Sequence, residues 1–244
     1  PAAVVSRTLI LGAGKNACFF LRLPARGVTV LVCGMDAPDK LHILAQPETA
    51  KRLLAETRRA WSARCRSFTV HTPDPLLDRY LNGWAVYQTL ACRVLGRCSA
   101  YQSGGAFGFR DQLQDAVNLL PLMPEICREQ LLGACAHQFS EGDVLHWWHA
   151  CPTGDRGVRT RCSDDLLWLP WAICEYTDST GDLALCAEQT PFLRSAPLQD
   201  GEENRYDCFA RTEETATVAE HGFRALEMVM RRGTGTHGLL LMLG

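Results

Sequence analysis

From Pro73 to Arg231 the apolar residues recur at helical spacing, and the connections between helical segments alternate long, short, long, short, long. Consecutive antiparallel helices reverse direction, so every second connection returns to the same end of the array. Asp74 and Pro75 open a helix that carries Leu76, Leu77, Tyr80, Leu81, Trp84, Tyr87, Leu90 and Ala91 at i, i+3/i+4 spacing. A Gly-rich loop over 96–109 follows, then helices from Asp111 to Leu120 and over 125–139, separated by the short turn Pro121-Leu-Met-Pro124. A long loop covers 140–162. Ser163 is read as the cap of a helix running to Thr180, with Asp164 and Asp165 in its first turn. Gly181 breaks it, a helix continues to Leu193, a second long loop runs over 194–212, and a last helix spans Glu213–Arg231. The loops at 96–109, 140–162 and 194–212 are therefore expected on one rim, and loops of that length in compact domains serve binding or catalysis. Helical hairpins with all long loops on one side point to an α/α toroid around a central pocket. A helical solenoid is the alternative, although no repeat of fixed length is visible.

The first 43 residues differ. Thr8-Leu-Ile-Leu, Cys18-Phe-Phe-Leu-Arg-Leu and Val28-Thr-Val-Leu-Val read as strands punctuated by glycines, the tail of a larger β-sandwich. Pro47 then opens a helix through Arg64, with Glu48 at its positive end. The chain opens in mid-strand and closes on Leu-Leu-Leu-Met-Leu-Gly, and both ends read as cuts.

Composition narrows the classes. Charged residues make up 21% of the 244, with a net charge of -2 and no basic stripe, which argues against nucleic acid as a partner. No run reaches the roughly 18 apolar residues of a membrane helix. The 12 cysteines contain no CxxC pair, and Cys92, Cys127, Cys135 and Cys174 fall on apolar helical stripes, where a free thiol packs as a small hydrophobe. The reading is free thiols in a reducing, cytoplasmic setting, without a cysteine metal site.

The rim loops carry groups that handle sugars. Tyr101-Gln-Ser-Gly-Gly-Ala-Phe-Gly-Phe-Arg-Asp-Gln-Leu-Gln-Asp115 offers glycines for close backbone approach, then Arg110, Asp111 and Asp115 at a helix start. The same three also read as a helix cap and an internal ion pair. Glu141-Gly-Asp-Val-Leu-His-Trp-Trp-His149 offers two aromatic platforms for the C–H faces of sugars, one of the tryptophans facing inward, and His146 and His149. Those histidines have no third ligand at motif spacing, so a sugar pocket fits as well as a metal. Arg159 and Arg161 either hold an anion or pair with Asp164 and Asp165. Glu213, Glu214, Glu220 and His221 are read as lying on the last helix, its carboxylates on a solvated face.

These segments, with Gly157-Val-Arg-Thr-Arg161 and Ser163-Asp-Asp-Leu-Leu-Trp-Leu-Pro170, resemble the catalytic domain of glycoside hydrolase family 94. The family includes cellobiose, chitobiose and 1,2-β-oligoglucan phosphorylases and the phosphorylase part of cyclic β-1,2-glucan synthases, and the wording is nearest the β-1,2-glucan branch. The resemblance implies a mainly α fold: the end of a β-sandwich over 1–43, a helical linker over 44–70 and the first part of an (α/α)6 barrel over 71–244. It implies inverting phosphorolysis of β-glucosides to α-glucose 1-phosphate. Inorganic phosphate is the co-substrate, and no cofactor or metal is expected. Arg110, Asp111, Gln114, Asp115, His146, Trp147, Trp148 and Arg159 are the candidates for sugar and phosphate contact. The family's general acid sits in an Asp-Trp-Asn-Asp-Gly segment expected just beyond Gly244. The expected partners are a β-glucan oligosaccharide and phosphate. A membrane enters only through further parts of a parent synthase, of which this would be a cytoplasmic piece, and a homodimer is left open. An inverting hydrolase on an α/α toroid and a noncatalytic sugar-binding fragment are the competing readings.

Overall fold

The computed structural model describes residues 27–32, 38–66, 68–96, 104–150 and 154–241. The chain divides into two compact units, residues 1–64 and 65–244. In the first, α1 (Pro38–Leu44) precedes α2 (Pro47–Cys65). Pro47 and Glu48 suit the first turn of α2, as the sequence predicts, and the pairs Lys51–Glu48 (2.8 Å) and Arg52–Glu56 (3.2 Å) lie on its solvated surface. The strands expected at 8–11 and 18–23 lie outside the described residues. Val28–Val32 has no regular structure, so that strand is not formed.

The second unit is mainly α with a small antiparallel sheet. Its first helix, α3, runs over residues 75–95 and alternates ordinary turns with wider π-turns at Tyr80–Trp84 and Thr89–Leu95. Asp74 caps it by accepting a hydrogen bond from the Leu76 amide at 2.8 Å, with Pro75 in the first turn. The strand β1 (Phe107–Gly108) leads directly into α4 (Phe109–Asn118), and α5 (Pro124–Cys135) folds back on it. A 3-10 turn at Asp165–Leu167 leads into α6 (Trp168–Thr180), which ends at Gly181 in the left-handed conformation (φ +71°) that glycine adopts without steric cost. The last helix, α7 (Val218–Arg232), is capped by the Thr217 hydroxyl accepting from the Glu220 amide at 3.1 Å. Leu113 and Ala116 of α4, Leu131 of α5, Leu169, Ala172 and Ile173 of α6, and Ala225 and Val229 of α7 meet in one buried core.

The long loops are where the sequence reading needs correction. Residues 140–162 contain a β-hairpin, β2 (Leu145–His149) against β3 (Arg156–Thr160). After α6 the chain makes a 3-10 turn and then β4 (Gln189–Arg194), where a helix to Leu193 was expected. Pro191 explains the difference, since its ring and missing N–H oppose a helix interior. Residues 194–212 contain β5 (Asn204–Cys208) and the start of β6 (Ala210–Thr217), which pairs with β4. The last helix accordingly starts at Val218, and Glu213 and Glu214 belong to β6. Ser163 does not start a helix either. Asp164 takes the N-cap position without a side-chain cap bond, because its carboxylate is used by Arg110 and Cys162.

The physical reason is common to these cases. Buried backbone amides need partners, and a structureless stretch of twenty residues leaves too many unpaired. All three loop regions contribute strands to one antiparallel sheet of order β1-β2-β3-β5. They therefore do gather in one place: Phe107 pairs with Trp148, and Val158 pairs with Tyr206.

Candidate active site

The sheet and the start of α4 enclose a cavity of about 480 Å³. Its floor is the β1–α4 junction, with Gly104, Ala106, Gly108, Arg110 and Asp111. Its wall is the outward face of β2, with His146, Trp147 and His149, and Asp165 closes it from the turn before α6. Alternation along β2 separates the tryptophans. Trp147 lines the cavity, 5.4 Å from the His149 ring and 5.6 Å from Tyr206. Trp148 points into the core, stacked on His137 at 3.9 Å and on Phe107 at 6.1 Å. A Cβ at Gly108 would stand 2.9 Å from Asp111 Oδ2, so a larger residue there would have to displace the Asp111 carboxylate.

Charge is concentrated at one end. Arg110 Nη1 donates to Asp164 Oδ2 at 2.9 Å. That hydrogen bond raises the Arg110 pKa against the opposing cost of burial, and the nearby Asp165 and Asp111 act in the same upward direction. Asp164 is lowered: burial opposes ionisation, but hydrogen bonds from Cys162 and Arg110 together outweigh it. His146 Nδ1 lies 2.6 Å from Asp165 Oδ2, and this hydrogen bond raises the imidazole pKa. Asp165 is 2% exposed, and its other oxygen, Oδ1, is buried without a hydrogen-bond partner among the described residues. An orphaned buried carboxylate oxygen is costly and calls for a partner. His149 is oriented by Nε2 at 2.9 Å from the Gly104 carbonyl.

Of the residues singled out from sequence, Arg110, Asp111, His146, Trp147 and His149 come together here. Gln114 lines a neighbouring cavity of about 650 Å³, with Asn118, Asp164 and the Trp168–Trp171 pair. Asp115 does not line the site; it holds Arg93 Nε at 2.9 Å. Arg159 lies in the core, 1% exposed, gripping Asp143 in bidentate fashion at 2.7 Å for each bond and stacking 3.9 Å over Phe139. Arg161 donates to the carbonyls of Leu198, Gln199 and Glu202 rather than to Asp164 or Asp165. The residue missed as a site candidate is Asp165, read as helix-start charge. Its signal lay in the adjacent acids of Ser163-Asp-Asp, one of which serves Arg110 and the other His146.

The sequence from residue 60 to 244 matches the glycosyl hydrolase 94 superfamily catalytic domain. The chain belongs to this family. It is 39% identical over 222 residues to the cyclic beta-(1,2)-glucan synthase NdvB of Rhizobium meliloti (strain 1021), a match covering 90% of this chain and 8% of the synthase. It is 30% identical over 158 residues to the N,N'-diacetylchitobiose phosphorylase of Vibrio proteolyticus, covering 54% of this chain and 20% of that enzyme. It is 30% identical over 142 residues to the solabiose phosphorylase of Paenibacillus borealis, covering 58% and 16% respectively. The chain thus spans a minor part of each of these glycosyl hydrolase 94 relatives. Both tryptophans, the Arg110–Asp111 pair and the Asp164–Asp165 pair fall inside the region matched to the family. No helix among the described residues is long and apolar enough to cross a membrane.

Proposed function

We propose that this cavity is the sugar- and phosphate-binding end of an inverting glycoside phosphorylase acting on β-glucosides, with β-1,2-glucans as the substrate class. The observation that carries the reading is the meeting of a guanidinium, carboxylates, an imidazole and an open indole face in one cavity of about 480 Å³. Trp147 supplies an apolar platform for the C–H face of a pyranose, while Asp111 and Asp165 accept hydrogen bonds from its hydroxyls. Arg110 brings positive charge, and Arg110 and His146 bring N–H donors, to the side from which phosphate approaches.

In the reaction a phosphate oxygen forms a bond to the anomeric carbon as the glycosidic C–O bond breaks. The departing oxygen takes a proton from a carboxylic acid contributed from outside residues 1–244. An inverting hydrolase needs a second carboxylate to activate water. Phosphate is already an anion, so a cationic and amide cradle suffices in its place. The helices of the second unit, on this reading, are the first part of an (α/α)6 barrel, and free thiols suit a cytoplasmic setting. The identity to a β-1,2-glucan synthase supports the linkage, and the identities to phosphorylases support the reaction class.

The test uses the full-length protein with β-1,2-linked glucooligosaccharides, with and without phosphate. Phosphate-dependent release of glucose 1-phosphate is expected, depressed by Arg110→Ala. Release of free glucose at the same rate without phosphate would replace this reading with a hydrolase.

A further inference from the structure

Two side chains that line the cavity, those of His146 and Asp165, have a second capacity together with Cys162 beside them. The Nδ1 atom of His146, the Sγ of Cys162 and a carboxylate oxygen of Asp165 all lie within 4.8 Å of one another. They come from three separate places: strand β2, the residue two beyond β3, and the turn before α6. We propose that His146, Cys162 and Asp165 form a binding site for a thiophilic divalent cation, Zn²⁺ in the first instance, with the fourth position open to the cavity.

Donor chemistry selects the ion. One nitrogen, one sulfur and one carboxylate oxygen suit Zn²⁺, whereas Ca²⁺ and Mg²⁺ call for oxygen ligands alone. Tetrahedral zinc with bonds of about 2.0–2.3 Å places its ligand atoms roughly 3.3–3.8 Å apart. The widest separation, at most 4.8 Å, has to close by only about an ångström. His146 Nδ1 and Asp165 Oδ2, now hydrogen-bonded at 2.6 Å, part as the metal enters between them, and Cys162 and His146 are half-buried. Asp165 supplies an independent reason: its Oδ1 is buried and has no hydrogen-bond partner among the described residues, so a carboxylate oxygen stands there without a proton donor. Local charge favours a cation as well. The carboxylates of Asp111, Asp164 and Asp165 lie about the Arg110 guanidinium, and the Arg232 guanidinium stands 3.1 Å from the Cys162 carbonyl.

Coordination transfers no electrons. Cys162 gives its thiol proton to solvent and binds as thiolate, and the ring proton of neutral His146 moves from Nδ1 to Nε2 as Nδ1 turns to the metal. The Cys162–Asp164 contact at 3.2 Å is released in the process. Because His146 and Asp165 also line the proposed sugar cavity, the ion and the sugar compete for them. That consequence alone rests on the functional reading above; metal binding does not.

The experiment titrates the reduced full-length protein with Co²⁺, a spectroscopic substitute for Zn²⁺. One equivalent is expected to give near-ultraviolet thiolate-to-Co²⁺ charge-transfer absorption, removed by added Zn²⁺. The band is expected to vanish in Cys162→Ser and to persist in Cys174→Ser, an exposed cysteine outside the cluster. His146→Ala is expected to weaken Co²⁺ binding by more than the roughly tenfold typical of losing an outer-shell partner. A second measurement needs no variant: Zn²⁺ should slow alkylation of Cys162, mapped by mass spectrometry, and leave Cys174 unchanged. Absence of the band in the unmodified protein, its persistence in Cys162→Ser, or alkylation of Cys162 indifferent to Zn²⁺ would each overturn the proposal.

Discussion

Replacing Arg159 with alanine distinguishes a structural guanidinium from an anion-binding one. Its side chain is 1% exposed and makes five hydrogen bonds: two to Asp143, one to Glu141 Oε2 at 3.1 Å, and two to the carbonyls of Ser195 and Ala196 at 3.2 and 3.1 Å. Asp143 is 4% exposed and would keep a buried charge without its bidentate partner. Breaking a buried pair from one side costs about 3–5 kcal/mol, much of it the penalty of the stranded charge. With an m-value of about 3 kcal/mol/M in urea, the unfolding midpoint should fall by about 1–1.7 M. Urea titration followed by tryptophan fluorescence is suited to the measurement, because Trp147 and Trp148 lie on the strand paired with β3. Arg159→Lys should recover little, since an ammonium cannot reproduce the two-pronged grip. Arg159→Met combined with Asp143→Leu should be markedly more stable than Arg159→Ala, because no charge is then stranded. A loss below about 1 kcal/mol in Arg159→Ala, accompanied by weakened phosphate binding, would refute this reasoning and return Arg159 to the anion site.

Further outcomes follow from single positions. Trp148→Ala should cost about 3–5 kcal/mol in a thermal or urea melt. Trp147→Ala should cost less stability but raise the KM for oligosaccharide, and equal stability losses would contradict the two-faced strand. Gly142→Ala should destabilise by about 2 kcal/mol or more by the same assay, since φ is +106° and the added Cβ would stand 2.2 Å from the Arg224 carbonyl oxygen. A thiol-alkylating reagent should reach exposed Cys174 and Cys208 first. Cys127, pushed up to about 12 by burial, and Cys135, raised further by the same cause, should react only on unfolding, as time-resolved mass mapping would show.

Helices were legible where a stripe of apolar residues repeats within the segment itself. The stretch at 75–95 and helices α4 and α5 need only local information, and their ends moved by no more than a few residues. Strands were not legible, because what makes β4 a strand is β6, more than fifteen residues further on. Two five-residue strands such as β2 and β3 carry too few repeats for alternation to stand out, especially with the register shift between Leu145 and Trp147. The eight cysteines among the described residues are free, while Cys18, Cys33, Cys98 and Cys151 lie outside them. The site shows the same division. Arg110 and Asp111 are neighbours in sequence and were read together, whereas Asp165 reaches His146 across nineteen residues. Arg159 was read as holding an anion or pairing with Asp164 and Asp165, which stand close in sequence; its partner, Asp143, faces it only after the hairpin closes.

That hairpin connects core packing to the site. Side chains alternate along strands, so a slip of one residue between β2 and β3 would exchange the faces of Trp147 and Trp148 and remove the platform from the cavity. Two features of β3 oppose such a slip. Gly157 sits opposite Trp148, where a Cβ would come within 2.5 Å of the Trp147 carbonyl oxygen, so no other residue fits that position without displacing the strand. Two residues along on the same face, Arg159 is bonded to Asp143, which lies ahead of β2, and to the carbonyls of Ser195 and Ala196, beyond β4. A shifted register would carry the guanidinium out of reach of these acceptors and strand both charges. The buried ion pair is therefore better understood as fixing which indole faces the cavity than as a source of net stability. On this argument Arg159 variants lose oligosaccharide affinity only through the orientation of β2. Their loss of affinity should then track the unfolding midpoint across the series Arg159→Lys, Arg159→Met and Arg159→Ala, which direct contact with the ligand would not require.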